Sequence, residues 1–192
     1  MRIQRIQAIA VSLPMIKPVK MSFEEVRNAE NVIARIETSD GIIGWGEAAS
    51  APTMTGETPG SMVAAIRYLA DKLEGLPADD IAGAMHRAGQ YLYGNNSAKA
   101  AIEMALWDAL GQAKGKPVYE LLGGAKRQRV PALRLIGTGS TEGDIAETQK
   151  RLAEGYVAIK IKVGVASPEA DADRARAVAA SVKDDKVLIC TD

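Results

Sequence analysis

Apolar and polar positions change rhythm along the chain, and the change divides it. Ile3, Ile6, Ala8, Ala10 and Val11 predict a first strand running into Leu13-Pro14. A polar stretch from Met15 to about Asn28 follows, with neither a helical nor an extended period. Asn31 to Thr38 and Ile42 to Ala48 are rich in β-branched residues and flank Ser39-Asp40-Gly41, which predicts a hairpin. Residues 49–59, dense in Thr, Pro and Gly, read as a second loop. Then the period lengthens to that of helices. Thr58 and Pro59 supply a cap and a first-turn proline for a helix through Met62, Ile66 and Leu69 to about Leu73. Pro77-Ala78-Asp79-Asp80 predicts another through Ile81, Met85 and Ala88. The clearest helix spans Ser97 to Ala113, with Ala101, Met104, Ala105, Asp108 and Gln112 at helical spacing. Gly115-Lys116-Pro117 stops it, and Val118 to Leu122 forms one more turn before Gly123-Gly124.

After Arg129 the pattern becomes strand, helix, strand, helix, strand. Strands are predicted near 130–136, 157–163 and 187–191, at the spacing of βαβ units. Thr141 begins one intervening helix. Ser167-Pro168-Glu169 begins the other with a cap, a first-turn proline and an acidic residue suited to the helix dipole. This places an α+β domain at residues 1–126 and a parallel βα domain at 127–192.

Composition narrows the function classes. The 192 residues are 47% hydrophobic and 25% charged, as in ordinary globular proteins. Lysine and arginine total 24, aspartate and glutamate 24, with no long basic run, which argues against a nucleic-acid or anionic-membrane partner. Cys190 is the only cysteine, so an intrachain disulfide and a cysteine-rich zinc site are both excluded. No apolar run reaches the length of a membrane span and no signal segment is evident, so a cytoplasmic location is expected.

The candidate chemistry sits in the second part. Within Gly155 to Gly164 the β-branched density of a buried parallel strand is broken by Lys160 and Lys162. Side chains two apart on a strand share a face. Two neighbouring ammonium groups disfavour each other's charge, and burial at a barrel mouth adds to this, which suits a lysine that accepts a proton. A solvent-facing strand with two snorkelling lysines is the competing reading. Asp192, at the end of the following strand, is suited to a hard cation such as Mg²⁺, and equally to capping the strand. The glycine-rich loop within Leu135 to Gly143 could cradle a phosphate, although the full dinucleotide fingerprint is missing. His86 has no partner ligand nearby and reads as structural; Trp45 and Trp107 read as core or interface anchors.

Ala98 to Gln112, continued by Lys116 to Gly124, resembles the N-terminal signature of the mandelate racemase and muconate lactonizing enzyme group of the enolase superfamily. Asp40 to Ala48 is similar to that group's hairpin, and Lys160-Ile161-Lys162 to its K-x-K motif. The resemblance covers essentially the whole chain. It implies an α+β capping domain followed by the first βα units of a TIM-type (β/α) barrel, truncated after three strands where a barrel has eight. Loops at residues 15–28 and 49–57 would shape substrate choice between the barrel mouth and the cap. It implies Lys162 as the residue removing a proton next to a carboxylate, Lys160 as the group lowering its pKa, and Asp192 as the first of three Mg²⁺ ligands. The implied partner is a small-molecule carboxylate, and the intact protein is expected to be a homo-oligomeric isomerase, a racemase, epimerase or cycloisomerase. The 192 residues alone are expected to be inactive. Rival readings are an acid-sugar or hydroxy-acid dehydratase of the same superfamily, an NADP-dependent oxidoreductase fragment built on residues 130–192, and a non-catalytic assembly fragment.

Overall fold

The structure, a computed structural model, describes residues 1–20, 25–164 and 166–191. The chain forms two compact units, Met1–Ala125 and Lys126–Asp192. The first opens with a three-stranded antiparallel sheet in the order β1-β2-β3, formed by β1 (Ile3–Lys20), β2 (Glu25–Thr38) and β3 (Ile43–Ala49). Along β2, burial alternates, with Val32, Ala34, Ile36 and Thr38 facing inward. The turn into β3 uses Gly41 at φ 80°, a left-handed conformation open to glycine without steric cost.

Four helices and a final turn complete this unit: α1 (Pro52–Thr55), α2 (Pro59–Leu73), α3 (Ile81–Tyr91), α4 (Asn96–Lys114) and α5 (Val118–Leu121). As expected, Thr58 caps α2, in a reciprocal pair with Ser61. Asp80 caps α3 through the Gly83 amide. Met62, Ile66, Leu69 and Leu73 of α2 close over Ile3, Ile6 and Ile36 of the sheet, and Ile102 and Leu106 of α4 join the same core.

Two differences from the sequence expectation stand out. The stretch at 15–28 is not simply a loop. β1 and β2 pair on past Pro14↔Asn28, through a register shift, to Val19↔Val26 and Lys20↔Glu25. Residues 21–24 lie outside the described residues; the described side chains of this arm, at 15–18 and 25–28, are mostly exposed, so neither face imposes an alternating pattern there. On α4, Met104 is exposed, and the buried stripe is instead Ala98, Ala101, Ile102, Ala105, Leu106 and Ala109. Asp108 and Gln112 lie beside that stripe for a polar reason. Asp108 Oδ2 accepts from the Trp45 amide at 2.9 Å, and Gln112 Nε2 donates to the Ile43 carbonyl at 2.7 Å. These bonds satisfy backbone groups on the edge of β3 that no further strand pairs.

The second unit is a parallel sheet, β4-β5-β6, of β4 (Leu133–Ile136), β5 (Ala158–Ile161) and β6 (Leu188–Thr191), joined by α6 (Thr141–Ala153) and α7 (Pro168–Ser181). Ile136, Ile159, Ile161 and Val178 are buried, with Ile145, Leu152, Ala175 and Ile189 packed against them. That is the helix-covered face. Its opposite carries Leu133, Leu135 and Leu188, each at least 44% exposed. Among the described residues no helix is long and apolar enough to cross a membrane.

Candidate active site

Lys160 lies in β5, paired with Leu135 of β4 and Cys190 of β6. Lys162 follows the last residue of β5, and its amide carries the ladder one step further by donating to the Ile136 carbonyl at 2.8 Å. Ile159 and Ile161 are fully buried on the helix side, so strand alternation assigns both lysines to the opposite face, where each is half-buried. β5 is the middle strand of its sheet. Gly137, at the exit of β4, makes room for Lys162. A Cβ built there would stand 3.0 Å from the Lys162 Cβ. Asp192 lies outside the described residues.

Behind the lysines is an ionic cluster that sequence reading missed. Asp144 is fully buried, and its Oδ1 accepts from the Thr138 amide at 2.7 Å and from Thr138 Oγ1 at 2.8 Å. Asp171 Oδ2 accepts from the Gly164 amide at 2.7 Å. Arg174 joins them, Nη1 to Asp144 Oδ2 at 2.5 Å and Nη2 to Asp171 Oδ1 at 2.7 Å, while Nη2 also donates to the Lys162 carbonyl at 2.6 Å. The Arg174 guanidinium and the Gly164 amide hold the Asp171 carboxyl below the usual carboxylate range, and Asp171 in turn raises Arg174 further above its already high value. A signal for this cluster was present. Ser140 and Ser167 both cap helices, and each is followed four residues later by the aspartate that turns back onto the preceding loop.

The same bonds bear on the phosphate-cradle reading of the glycine-rich loop. The Thr138 amide is already committed to the Asp144 carboxylate, and the Gly143 amide to Ser140 Oγ. A phosphate there would face a buried carboxylate, which opposes an anionic ligand.

In the first unit, the stretches at 15–28 and 49–57 meet around an open groove of about 860 Å³ lined by Met15, Val26, Arg27, Asn31, Pro52 and Pro59 among others. Arg27 pairs with Glu25 at 2.5 Å. Glu57, at the edge of this region, is buried and caps α4 from a distance. Its carboxylate accepts from the Ser97 amide at 3.0 and 3.1 Å, Ser97 Oγ at 2.7 Å and the Ala98 amide at 3.3 Å. Asn95, the residue preceding α4, is left-handed and makes no side-chain cap. Burial pushes the Glu57 carboxyl up, but the bonds from Ser97 and Ala98 and the Lys99 charge outweigh it, and the net displacement is downward. His86 is exposed; Trp45 is 49% exposed, with the Arg35 guanidinium 5.8 Å from its ring centroid. Among the described residues no group of three or more His, Cys, Asp or Glu side chains could hold a metal.

An antiparallel sheet with helices, followed by parallel βα units, is the build of half an enolase-superfamily protein. Residues 5–123 match the family described as mandelate racemase / muconate lactonizing enzyme, N-terminal domain, and the chain belongs to it. The L-Ala-D/L-Glu epimerase of Bacillus subtilis (strain 168) is 37% identical over 165 residues, covering 85% of this chain and 45% of the epimerase. The muconate lactonizing enzyme of Pseudomonas fluorescens, solved with muconolactone, superposes with a TM-score of 0.91 at 35% identity, over 100% of this chain and 52% of that one. A dipeptide epimerase from Cytophaga hutchinsonii, solved with Mg and the dipeptide D-Ala-L-Val, gives 0.87 at 30% identity, again over 100% and 52%. The chain thus spans about half the length of the relatives it matches.

Proposed function

We propose that this chain is the N-terminal part of a Mg²⁺-dependent enolizing isomerase that abstracts a proton α to a substrate carboxylate. Residues 1–126 act as its capping domain and 127–192 as the first three strands of its barrel. The observation carrying this reading is the placement of Lys160 and Lys162 on the uncovered face of a central parallel strand, at the end where such sheets do chemistry. Lys162 takes the proton, and Lys160 stands as the like charge two residues away. Asp192 would supply one carboxylate to the cation, which when bound stabilises negative charge developing on the substrate carboxylate. A single carboxylate is a sparse protein donor set for Mg²⁺, which commonly keeps waters and substrate oxygens among its ligands. The groove between residues 15–28 and 49–57 contributes to substrate choice.

Relatives that epimerise dipeptides and that form lactones share a proton transfer next to a carboxylate, so exchange tests the reading before the product is known. The protein, as its gene encodes it, is incubated in D₂O with Mg²⁺ and, separately, L-Ala-L-Glu and muconolactone. Mass spectrometry should find deuterium at the carbon next to a carboxylate in at least one. Lys162→Ala should slow that exchange by a factor of about 10²–10⁴, the usual worth of a positioned base. Undiminished exchange in Lys162→Ala would remove Lys162 from the role.

A further inference from the structure

Three backbone groups at the exits of β4 and β5 are held by side chains of the two following helices. They are the Thr138 amide, the Lys162 carbonyl and the Gly164 amide, held by Asp144, Arg174 and Asp171 respectively. The three holders bond one another through a single guanidinium whose side chain is 11% exposed, against 0% for Asp144 and 7% for Asp171. An ion cluster of this kind is a poor source of net stability compared with apolar packing, because three charges leave water to form it. Its geometry, however, is specific. Only a planar fork can reach two carboxylates and a carbonyl at 2.5–2.7 Å at once. What that fork fixes is the backbone of Lys162 and, through Asp144 and Thr138, the loop whose Gly137 leaves space for the Lys162 Cβ.

We propose that Arg174 is a positioning residue for Lys162, clamping the ends of β4 and β5 so that the amine is presented in one fixed place. The proposal rests on Lys162 as the proton acceptor. It adds that the acceptor's placement is controlled from the far side of the sheet, by a residue that touches neither substrate nor metal. Small displacements matter at such a site, where an error of about 1 Å can cost roughly 10²-fold in rate. Lysine carries its donors on one nitrogen and lacks the planar fork, which makes Arg174→Lys the informative change: charge stays, the bridge spanning Nη1 and Nη2 goes.

The test needs no substrate. The protein, as its gene encodes it, is grown with lysine carrying ¹³C at Cε, and the Lys162 signal is assigned from its disappearance in Lys162→Arg. In the wild type this signal should stand apart from those of exposed lysines. In Arg174→Lys it should move at least half the way toward them. Val178→Ala, a cavity one turn along the same helix at a fully buried position whose side chain bonds none of the clamp groups, serves as the control for general loosening and should leave the signal in place. If Arg174→Lys does not fold, Asp171→Asn keeps the side-chain size but turns an amide donor toward either the Gly164 amide or Arg174, breaking one bond of the clamp, and should move the signal in the same direction. An unmoved signal in a folded clamp variant overturns the proposal, as does an equal movement in Val178→Ala. Failure of the underlying reading shows elsewhere, as deuterium exchange that survives Lys162→Ala.

Discussion

Glu57 shows how much one side chain can decide in this fold. The most recognisable helix of the chain, α4, begins at a left-handed asparagine that caps nothing, and its first amides are satisfied by a glutamate that is distant in sequence. Nothing in the pattern around Glu57 announces this, because the partner is brought near only by folding. Replacing Glu57 by Gln keeps one acceptor oxygen but turns an amide donor toward other donors, which should cost about 1–3 kcal/mol in urea unfolding at neutral pH. The dependence on pH has a defined sign. The folded carboxyl lies below its ordinary value, so its contribution is complete above that value and is lost as pH falls through the lower, folded one. Wild type and Glu57→Gln should therefore differ most near pH 6 and converge as pH drops below about 4, the ordinary glutamate range. A difference that stays constant with pH would mean that the glutamate acts by shape alone.

At the scale of elements, the meeting of β3 and α4 explains why two glycines and three alanines recur together. Gly44 and Gly46 face the α4 backbone so closely that added Cβ atoms would stand 2.0 Å from the Ala105 carbonyl oxygen and 1.9 Å from that of Ala101. Ala101, Ala105 and Ala109 complete a surface on which strand and helix can touch. Helix existence, caps and direction were legible in the spacing and in Thr58, Asp80 and Ser167. The buried face of α4 was not, since Met104 is apolar and periodic yet points to water, and the choice among candidate stripes belongs to the sheet that α4 meets. The arm around 15–28 was illegible for the complementary reason that its described side chains are mostly exposed. Gly46→Ala should destabilise by at least about 2 kcal/mol, in the range of overpacked cores. Gly89→Ala in α3, where nothing lies within 4 Å of the added Cβ, should stabilise by about 0.4–1 kcal/mol through the unfolded chain. Paired urea titrations check both, and equal effects at the two sites would refute the close-packing account.

Across the whole molecule, the two units differ in how much core each owns. The first encloses large fully buried side chains from sheet and helices alike, including Ile3, Ile36, Met62, Ile66, Leu69, Leu73, Ile102 and Leu106. In the second, the described buried apolar cluster is Ile136, Ile159, Ile161 and Val178, all on the helix side of a sheet whose other face leaves Leu133, Leu135 and Leu188 substantially exposed. Parallel sheets are normally covered on both faces. The strand alternation that puts two lysines on that uncovered face was readable from sequence, as was the βα rhythm; of the Asp144–Arg174–Asp171 clamp behind it only the two Ser-capped helices with an aspartate four residues on were legible, because the Arg174 bridge joins side chains from two separate repeats. The contrast in cores makes a direct expectation. Residues 1–125 expressed alone should unfold in urea as one cooperative transition, with coincident far- and near-ultraviolet circular dichroism. Residues 126–192 alone should bind the apolar dye ANS and lack a near-ultraviolet signal, since one covered face cannot hold side chains in fixed places. Should the shorter piece instead unfold cooperatively without binding dye, the ionic clamp would have to contribute far more to stability than three desolvated charges ordinarily do, and its role as a positioning device would need to be weighed against that as a structural one.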